Sequence, residues 1–415
     1  STDYGTKIRR VPAGYLCLIV LMTVNMAGCD GVKGSSPPYA VDGSQLPSLD
    51  SHLGGGIVMS WVEPDGDGHR LRFASYDEGV WSDPGTVSSG SDWFVNWADF
   101  PSVRIIDEQF WVAHWLVKHR WSAYAYDIFV SVSRDAGRSW SEPIQPHADG
   151  TPTEHGFVSI FPLENEAGLI WLDGRETQKN TSGDRIVGMT LRSAELTRDG
   201  EVSESLVDPL VCDCCQTDVA VSSDVPILVY RDRSQQEVRD ITLTRYVDKR
   251  WQVGGPIAED NWQVFGCPVN GPTVDASGNQ VGVAWYTQGS GSPRVQFARS
   301  TDGGHSFGDP IVIDPDNPLG RVDVAINQSG CAVVSWIGRG DSDAAELRYR
   351  YVGSDDQLSE AHTLAAISAS RPSGFPRMAR YESGIVIAWT HIREHTSQVK
   401  TAELEFACSE VIAGS

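Results

Sequence analysis

A short apolar strand ending in an aromatic residue recurs about every 50 residues, and no other feature constrains the fold as much. The copies read "GIVMSWVEP" at 56–64, "FWVAHWLV" at 110–117, "GLIWLDGR" at 168–175 and "PILVYRDR" at 226–233, then "VGVAWYTQ" at 281–288, "CAVVSWIGR" at 331–339 and "GIVIAWTHI" at 384–392. Each follows a shorter strand: "LPSL", "FPSVRII", "FVSIFP", "DVAVSS", "GPTVDA", "DVAINQ" and "PRMARY". A third strand of alternating polarity generally comes next, as in "LRFASY", "IFVSVS", "VQFARS" and "LRYRYV". Strands at this spacing, without helical periodicity between them, read as small antiparallel sheets repeated around an axis, since closing the ring leaves no long unpaired edge. The expectation is an all-β propeller of four-stranded antiparallel blades, seven of them, or six if the terminal repeats share one. The aromatic ending each second strand fills the space between neighbouring sheets. The seventh repeat lacks a fourth strand, which the segment before Leu46 can supply.

The beginning of the chain bears on its location. Lys7, Arg9 and Arg10 precede an apolar run from Tyr15 to Val24, too short to span a bilayer and suited to a secretory leader. It ends in "NMAGCDG", which resembles the lipobox of bacterial lipoproteins; the resemblance implies cleavage before Cys29 and lipidation of that residue. The alternative is an ordinary cleaved secretory signal. The expected divisions are a leader at 1–28, a lipid-attached flexible tether at 29–45, a single propeller at 46–408 and a tail at 409–415. A net charge of −22 argues against nucleic acid and against a basic membrane-binding surface. A monomer in the bacterial cell envelope follows, touching the membrane through its lipid alone and facing the periplasm or exterior.

Two turns add a family signal. "SRDAGRSW" at 133–140 and "STDGGHSF" at 300–307 fit Ser-x-Asp-x-Gly-x-x-Trp/Phe, in which the aspartate accepts turn amides and the glycine supplies the unusual backbone angles. These turns resemble the Asp-box repeats of bacterial sialidases and related propellers, over about residues 46–406. The resemblance implies a glycoside hydrolase that grips a sugar carboxylate with three arginines and attacks with a tyrosine. The family's Arg-Ile-Pro motif has one similar string here, "RRVP" at 9–12, inside the leader, and blade one begins "QLPSL" without arginine. No tyrosine can be assigned as nucleophile from spacing.

In a propeller, the segments leading into the innermost strands build the face where ligands sit. Here they are polar: "NWADFP", "TEHGF", "CCQTD", "CPVNGP", "GRVD" and "SGFPR". The acids so placed, Asp99, Glu154, Asp173, Asp218 and Asp323, are the catalytic candidates for a carboxylate-pair glycosidase, or else loop acids capping backbone amides. Arg175, Arg231, Arg233, Arg239, Asn270, Arg321 and Arg377 are the substrate-binding candidates. The run from Tyr230 to Ile241 is the densest in charge; its arginines either grip a carboxylate or phosphate, or brace two blades through salt bridges.

Cysteines cluster in "VCDCCQTD". Cys212, Cys214 and Cys215 lead into blade four, and Cys267 leads into blade five at the equivalent place. The leading reading is a disulfide from this group to Cys267. The alternatives are thiolate binding of copper or zinc, and free or redox-active thiols. Cys331 reads as core packing. No nucleotide-binding motif is present. The sequence thus points first to an exo-sialidase-type hydrolase acting on acidic glycans. The competing reading is a non-catalytic propeller that binds a glycan, a protein partner or, through its cysteines, a soft metal.

Overall fold

The computed structural model describes residues 40–51, 55–77, 79–119, 125–177, 187–340, 344–382, 384–394, 396–406 and 408. The leader, Cys29, most of the tether and the tail at 409–415 lie outside these. The described residues form a seven-bladed β-propeller, and a 3-10 turn at Arg371–Ser373 interrupts its strands.

The first strands of the blades are Gln45–Ser51, Ser102–Ile105, His155–Pro162, Asp218–Ser222, Thr273–Ser277, Gly320–Ile326 and Arg377–Tyr381, and they touch one another in sequence around the axis. Each pairs with a second strand that carries one of the repeated apolar runs: Ile57–Asp65, Trp111–Lys118, Ala167–Asp173, Val225–Arg231, Gln280–Thr287, Ala332–Arg339 and Gly384–Arg393. Blades three to six have four strands, blade one has five, and blades two and seven have three. On blade seven the place of a fourth strand is taken by residues 40–44. There the Gly43 amide donates to the Ser397 carbonyl at 2.8 Å, and the Val399 amide donates to Ser44 Oγ at 2.9 Å. The segment before Leu46 thus completes blade seven, as the missing fourth strand implied.

The repeated aromatic does one job around the whole ring. Trp61 packs on blade seven, Trp115 on blade one, Trp171 on blade two and Tyr230 on blade three. Trp285, Trp336 and Trp389 continue the series onto blades four, five and six. A wedge-shaped gap between twisted sheets needs a large flat side chain, and burying one contributes several kcal/mol. The indole N–H must still find an acceptor. Trp61 donates to Glu63, Trp171 to Asp173 and Trp285 to Asp260, each at 2.8 Å.

A second device links the innermost strands. A carboxylate on one first strand accepts an amide from the next blade: Asp50 from Ile105 at 2.8 Å, Asp218 from Val274 at 3.0 Å, Asp275 from Ile326 at 2.8 Å and Asp323 from Met378 at 2.6 Å. Asp99, just ahead of blade two, accepts the Phe157 amide of blade three at 2.8 Å. Ser159 Oγ spans to the Thr217 carbonyl at 2.8 Å, and Thr390 Oγ1 takes the Leu46 amide at 3.0 Å, completing the circuit. Asp275 also holds Arg380 of blade seven at 2.6 Å.

The two turns singled out by sequence fold alike. In one, Asp135 accepts from the Ser139 amide and hydroxyl while Ser133 Oγ accepts the Gly137 amide; Asp302, Ser306, Ser300 and Gly304 repeat this in the other. Trp140 packs edge-on to Phe73, so the turns serve the blade interior.

The one disulfide among the described residues joins Cys331 to Cys408. This corrects the core-packing reading of Cys331: the chain returns after blade seven to lay Cys408 beside blade six, with 5.9 Å between the Cα atoms.

Removing an inter-blade carboxylate leaves its amide without an acceptor. Asp275→Ala, which also strands Arg380, is expected to cost about 2–3 kcal/mol in urea unfolding. Asp309→Ala, on an exposed position outside these junctions, should stay within about 0.5 kcal/mol. Equal effects from both would show that the circuit contributes nothing.

Candidate functional site

The first-strand approach segments of blades two, three, four and seven surround a small open cavity of about 30 Å³ at the channel. Asp99, Phe100, Arg104, Phe157, Gln216, Asp218 and Arg377 are among its lining residues. Asp99 is 2% exposed. Beside the Phe157 amide on Oδ1, its Oδ2 accepts the Tyr126 hydroxyl at 3.1 Å. Burial pushes its carboxyl up to about 7, with the nearby Glu154 adding to the effect and the two hydrogen bonds opposing it. Glu154 is itself raised, by burial and by Asp213. Tyr126 is raised well above the ordinary phenol by burial and by the neighbouring Asp99 and Glu154, and Phe94 stacks on it at 4.0 Å.

Across the channel wall, Arg377 reaches Asp218 at 3.8 Å and Asp323 at 3.4 Å. Burial raises both carboxyls, Asp323 to about 6, while Arg377 works to keep them charged. Three of the five acids flagged by sequence, Asp99, Asp218 and Asp323, are therefore also blade connectors. Asp173 stands apart: besides the Trp171 indole it takes Arg175 at 2.6 Å.

Each arginine is committed to its own partner. Arg175 pairs with Asp173 and, at 2.8 Å, with Glu204. Arg231 is fully buried, donates to the carbonyls of Asn270, Tyr286 and Arg239, and lies over Trp262 at 4.8 Å. Arg233 and Arg239 share Glu237, at 2.7 and 2.8 Å, and Arg233 also holds Asp213 at 2.7 Å. Arg321 donates to Ser373 and the 370–374 carbonyls and sits 4.8 Å over Trp97; burial lowers it to about 10. Asn270 accepts the Arg321 amide at 2.7 Å and so joins blades five and six. Arg175, Arg233, Arg321 and Arg377 thus answer different acids and carbonyls and do not gather on one ligand position. The dense run from Tyr230 to Ile241 braces blades four and five.

Sequence reasoning overlooked Tyr126 and a buried group between blades two and three. There His147 and His155 stack with ring centres 3.9 Å apart, between Asp127, Asp149 and Asp173. Burial, then His155, pushes His147 down to about 4, and Arg175 already neutralises Asp149 and Asp173. His155 lies within the polar string "TEHGF", the one signal that could have marked it.

The cysteines do meet. The Sγ atoms of Cys212, Cys214 and Cys215 lie within 4.8 Å of one another, Cys212 and Cys215 at 3.3 Å, and the exposed Cys267 hydrogen bonds Cys214. All four are free thiols, so the expected disulfide to Cys267 is not formed. Arg239 donates to Cys212 at 3.3 Å.

No protein-family model matches the chain, and no curated protein matches it either. Solved structures do. A protein of unknown function from Dyadobacter fermentans is similar at 14% identity and a TM-score of 0.53, covering 91% of this chain and 99% of its own. A polysaccharide lyase, an ulvan lyase bound to -[GlcA(1-4)Rha3S]-, is similar at 12% identity and a TM-score of 0.52, covering 90% and 96%. A mutant Trypanosoma rangeli sialidase reaches a TM-score of 0.45 at 11% identity, over 75% of this chain and 55% of that one, too loose a match to weigh. At these identities the first two likenesses establish the propeller fold.

The folded protein holds the Asp99 proton more tightly than the unfolded chain, whose carboxyl titrates near 3.8. Its contribution to stability is therefore present below about pH 4 and lost as pH rises through about 7. Asp99→Asn keeps an acceptor for the Phe157 amide and cannot ionise. Melting curves should show the wild type losing ground to this variant between about pH 4 and about pH 7; a pH-independent gap would contradict the raised carboxyl.

Proposed function

We propose that the channel mouth binds and cleaves an acidic carbohydrate, with Asp99 as general acid. The observation that carries this reading is a buried carboxyl, raised to about 7, in the wall of an open cavity that also holds Arg104, Arg377 and the rings of Phe100 and Phe157. A protonated Asp99 gives its proton to the departing glycosidic oxygen. Asp218, in the same cavity beside Arg377, supplies the carboxylate that draws a proton from the attacking water. The positive charge of Arg104 and Arg377 in the cavity wall favours a uronic or sialic carboxylate there. The ulvan lyase of like fold is described with a glucuronate-containing saccharide, which makes uronides the class to try first. Exo-sialidase action is the narrower form of this proposal, and the dispersed arginines make it the less favoured one. We further propose that Cys29 carries lipid and holds a monomeric propeller at the bacterial envelope, which labelling with a radioactive fatty acid tests.

The purified protein should release aglycone from aryl uronides or sialosides, with the rate falling as pH rises above about 7, where Asp99 loses its proton. Asp99→Asn should lower kcat about 100-fold or more while the protein stays folded. Failure to cleave any uronide, sialoside or neutral glycoside in the panel overturns the reading.

A further inference from the structure

We propose that Cys212, Cys214, Cys215 and Cys267 bind one soft d10 metal ion, zinc or copper(I), at the junction of blades four and five. Three sulfurs of one segment cluster where two blades abut, and Cys267, from a segment far along the sequence, lies outside the 4.8 Å cluster but hydrogen bonds Cys214, near enough to complete the set. The 3.3 Å between Cys212 and Cys215 is well beyond a disulfide bond of about 2.05 Å. Two thiolates on one zinc, each about 2.3 Å from the ion, sit about 3.8 Å apart in a tetrahedron. The three clustered sulfurs lie within 4.8 Å of one another, so small side-chain adjustments reach that separation.

The surroundings suit a set of thiolates. A zinc with four thiolates carries excess negative charge, and guanidinium groups offset it. Arg239 donates directly to Cys212 Sγ and is fixed from behind by Glu237, which Arg233 also grips. Placement is secured independently of any ion. Buried Arg231 ties the Asn270 carbonyl, three residues beyond Cys267, to blade four. Cys212 and Cys215 are buried, Cys214 is half-buried and Cys267 is exposed, which leaves a route for an ion to arrive.

The two ions use the sulfurs differently. Zinc takes all four, whereas copper(I) is satisfied by the three clustered ones, leaving Cys267 free.

The test uses the full chain, reduced and free of oxygen, titrated separately with zinc and with copper(I) against a competing chelator. One ion per chain is expected, with thiolate-to-metal charge-transfer absorption when cobalt(II) replaces zinc. Cys212→Ser and Cys215→Ser should each weaken binding at least tenfold, and Arg239→Gln about 10–100-fold through loss of its support to Cys212. Circular dichroism establishes that each variant is folded; should one buried variant fail, the half-buried Cys214→Ser serves. Cys267→Ser separates the ions, weakening zinc and sparing copper(I). Absence of binding of either ion to the folded, reduced protein overturns the proposal. So does affinity that survives both Cys212→Ser and Cys215→Ser, or isolation of the native protein with Cys212–Cys215 and Cys214–Cys267 disulfides. Glycoside hydrolysis is a separate readout, so neither result decides the other.

Discussion

The circuit of side chains that joins each innermost strand to the next is the constraint on which the rest depends. A propeller's first strands are short, packed around a channel and flanked by backbone donors that the neighbouring blade does not otherwise satisfy. Asp50, Asp99, Asp218, Asp275 and Asp323 meet that need at five junctions and Thr390 at a sixth, while at the seventh Ser159 Oγ donates to the Thr217 carbonyl. A buried carboxylate is costly unless hydrogen bonded, and here the amides that require an acceptor are the ones that stabilise it. The aromatic wedges hold the sheets apart at the correct angle, and the carboxylates hold them in register at the hub.

This constraint also sorts the acids that chemistry could use. Asp218 and Asp323 share Arg377 and cap amides; Asp173 serves an indole and Arg175. Among the described residues, Asp99 differs in having no arginine within ion-pair distance, only the Tyr126 hydroxyl and one amide. Hydrogen bonds without a countercharge do not offset full burial, and so its proton is retained to a higher pH than in a paired acid. The acid with the most useful acidity is the blade connector that lacks a cation.

The repeat made the ring legible because each second strand carries its own apolar run and its own aromatic, and both act locally. Gly137 and Gly304 lie in turns whose hydrogen bonds span four residues, so these too could be read from the chain. The partners of Arg231, Arg233 and Arg321 could not. They lie across blade boundaries or depend on which of several nearby acids a guanidinium meets first, and composition does not rank those choices. Tyr126 escaped notice for a related reason: it opens an ordinary third strand, and only the approach of Asp99 and Glu154 from neighbouring segments gives it distinction. The link from Cys331 to Cys408 depends on the path of the chain after the last blade, which no repeat encodes.

Gln216 connects the two places where chemistry is proposed. It follows Cys215 directly and lines the channel cavity. Its amide nitrogen donates to the Ala98 carbonyl at 2.6 Å, next to Asp99, while its oxygen accepts the Gly271 amide at 3.0 Å, close to Asn270. Gly271 has no room for a side chain, because a Cβ there would lie 2.1 Å from the Gln216 carbonyl oxygen. The strand of backbone from Cys212 to Asp218 is thus clamped at both ends, by Arg239 on the sulfur side and by Val274 on the carboxylate side. Gln216 is thereby fixed between the wall that holds Asp99 and the segment that leads into blade five, one residue beyond the sulfurs.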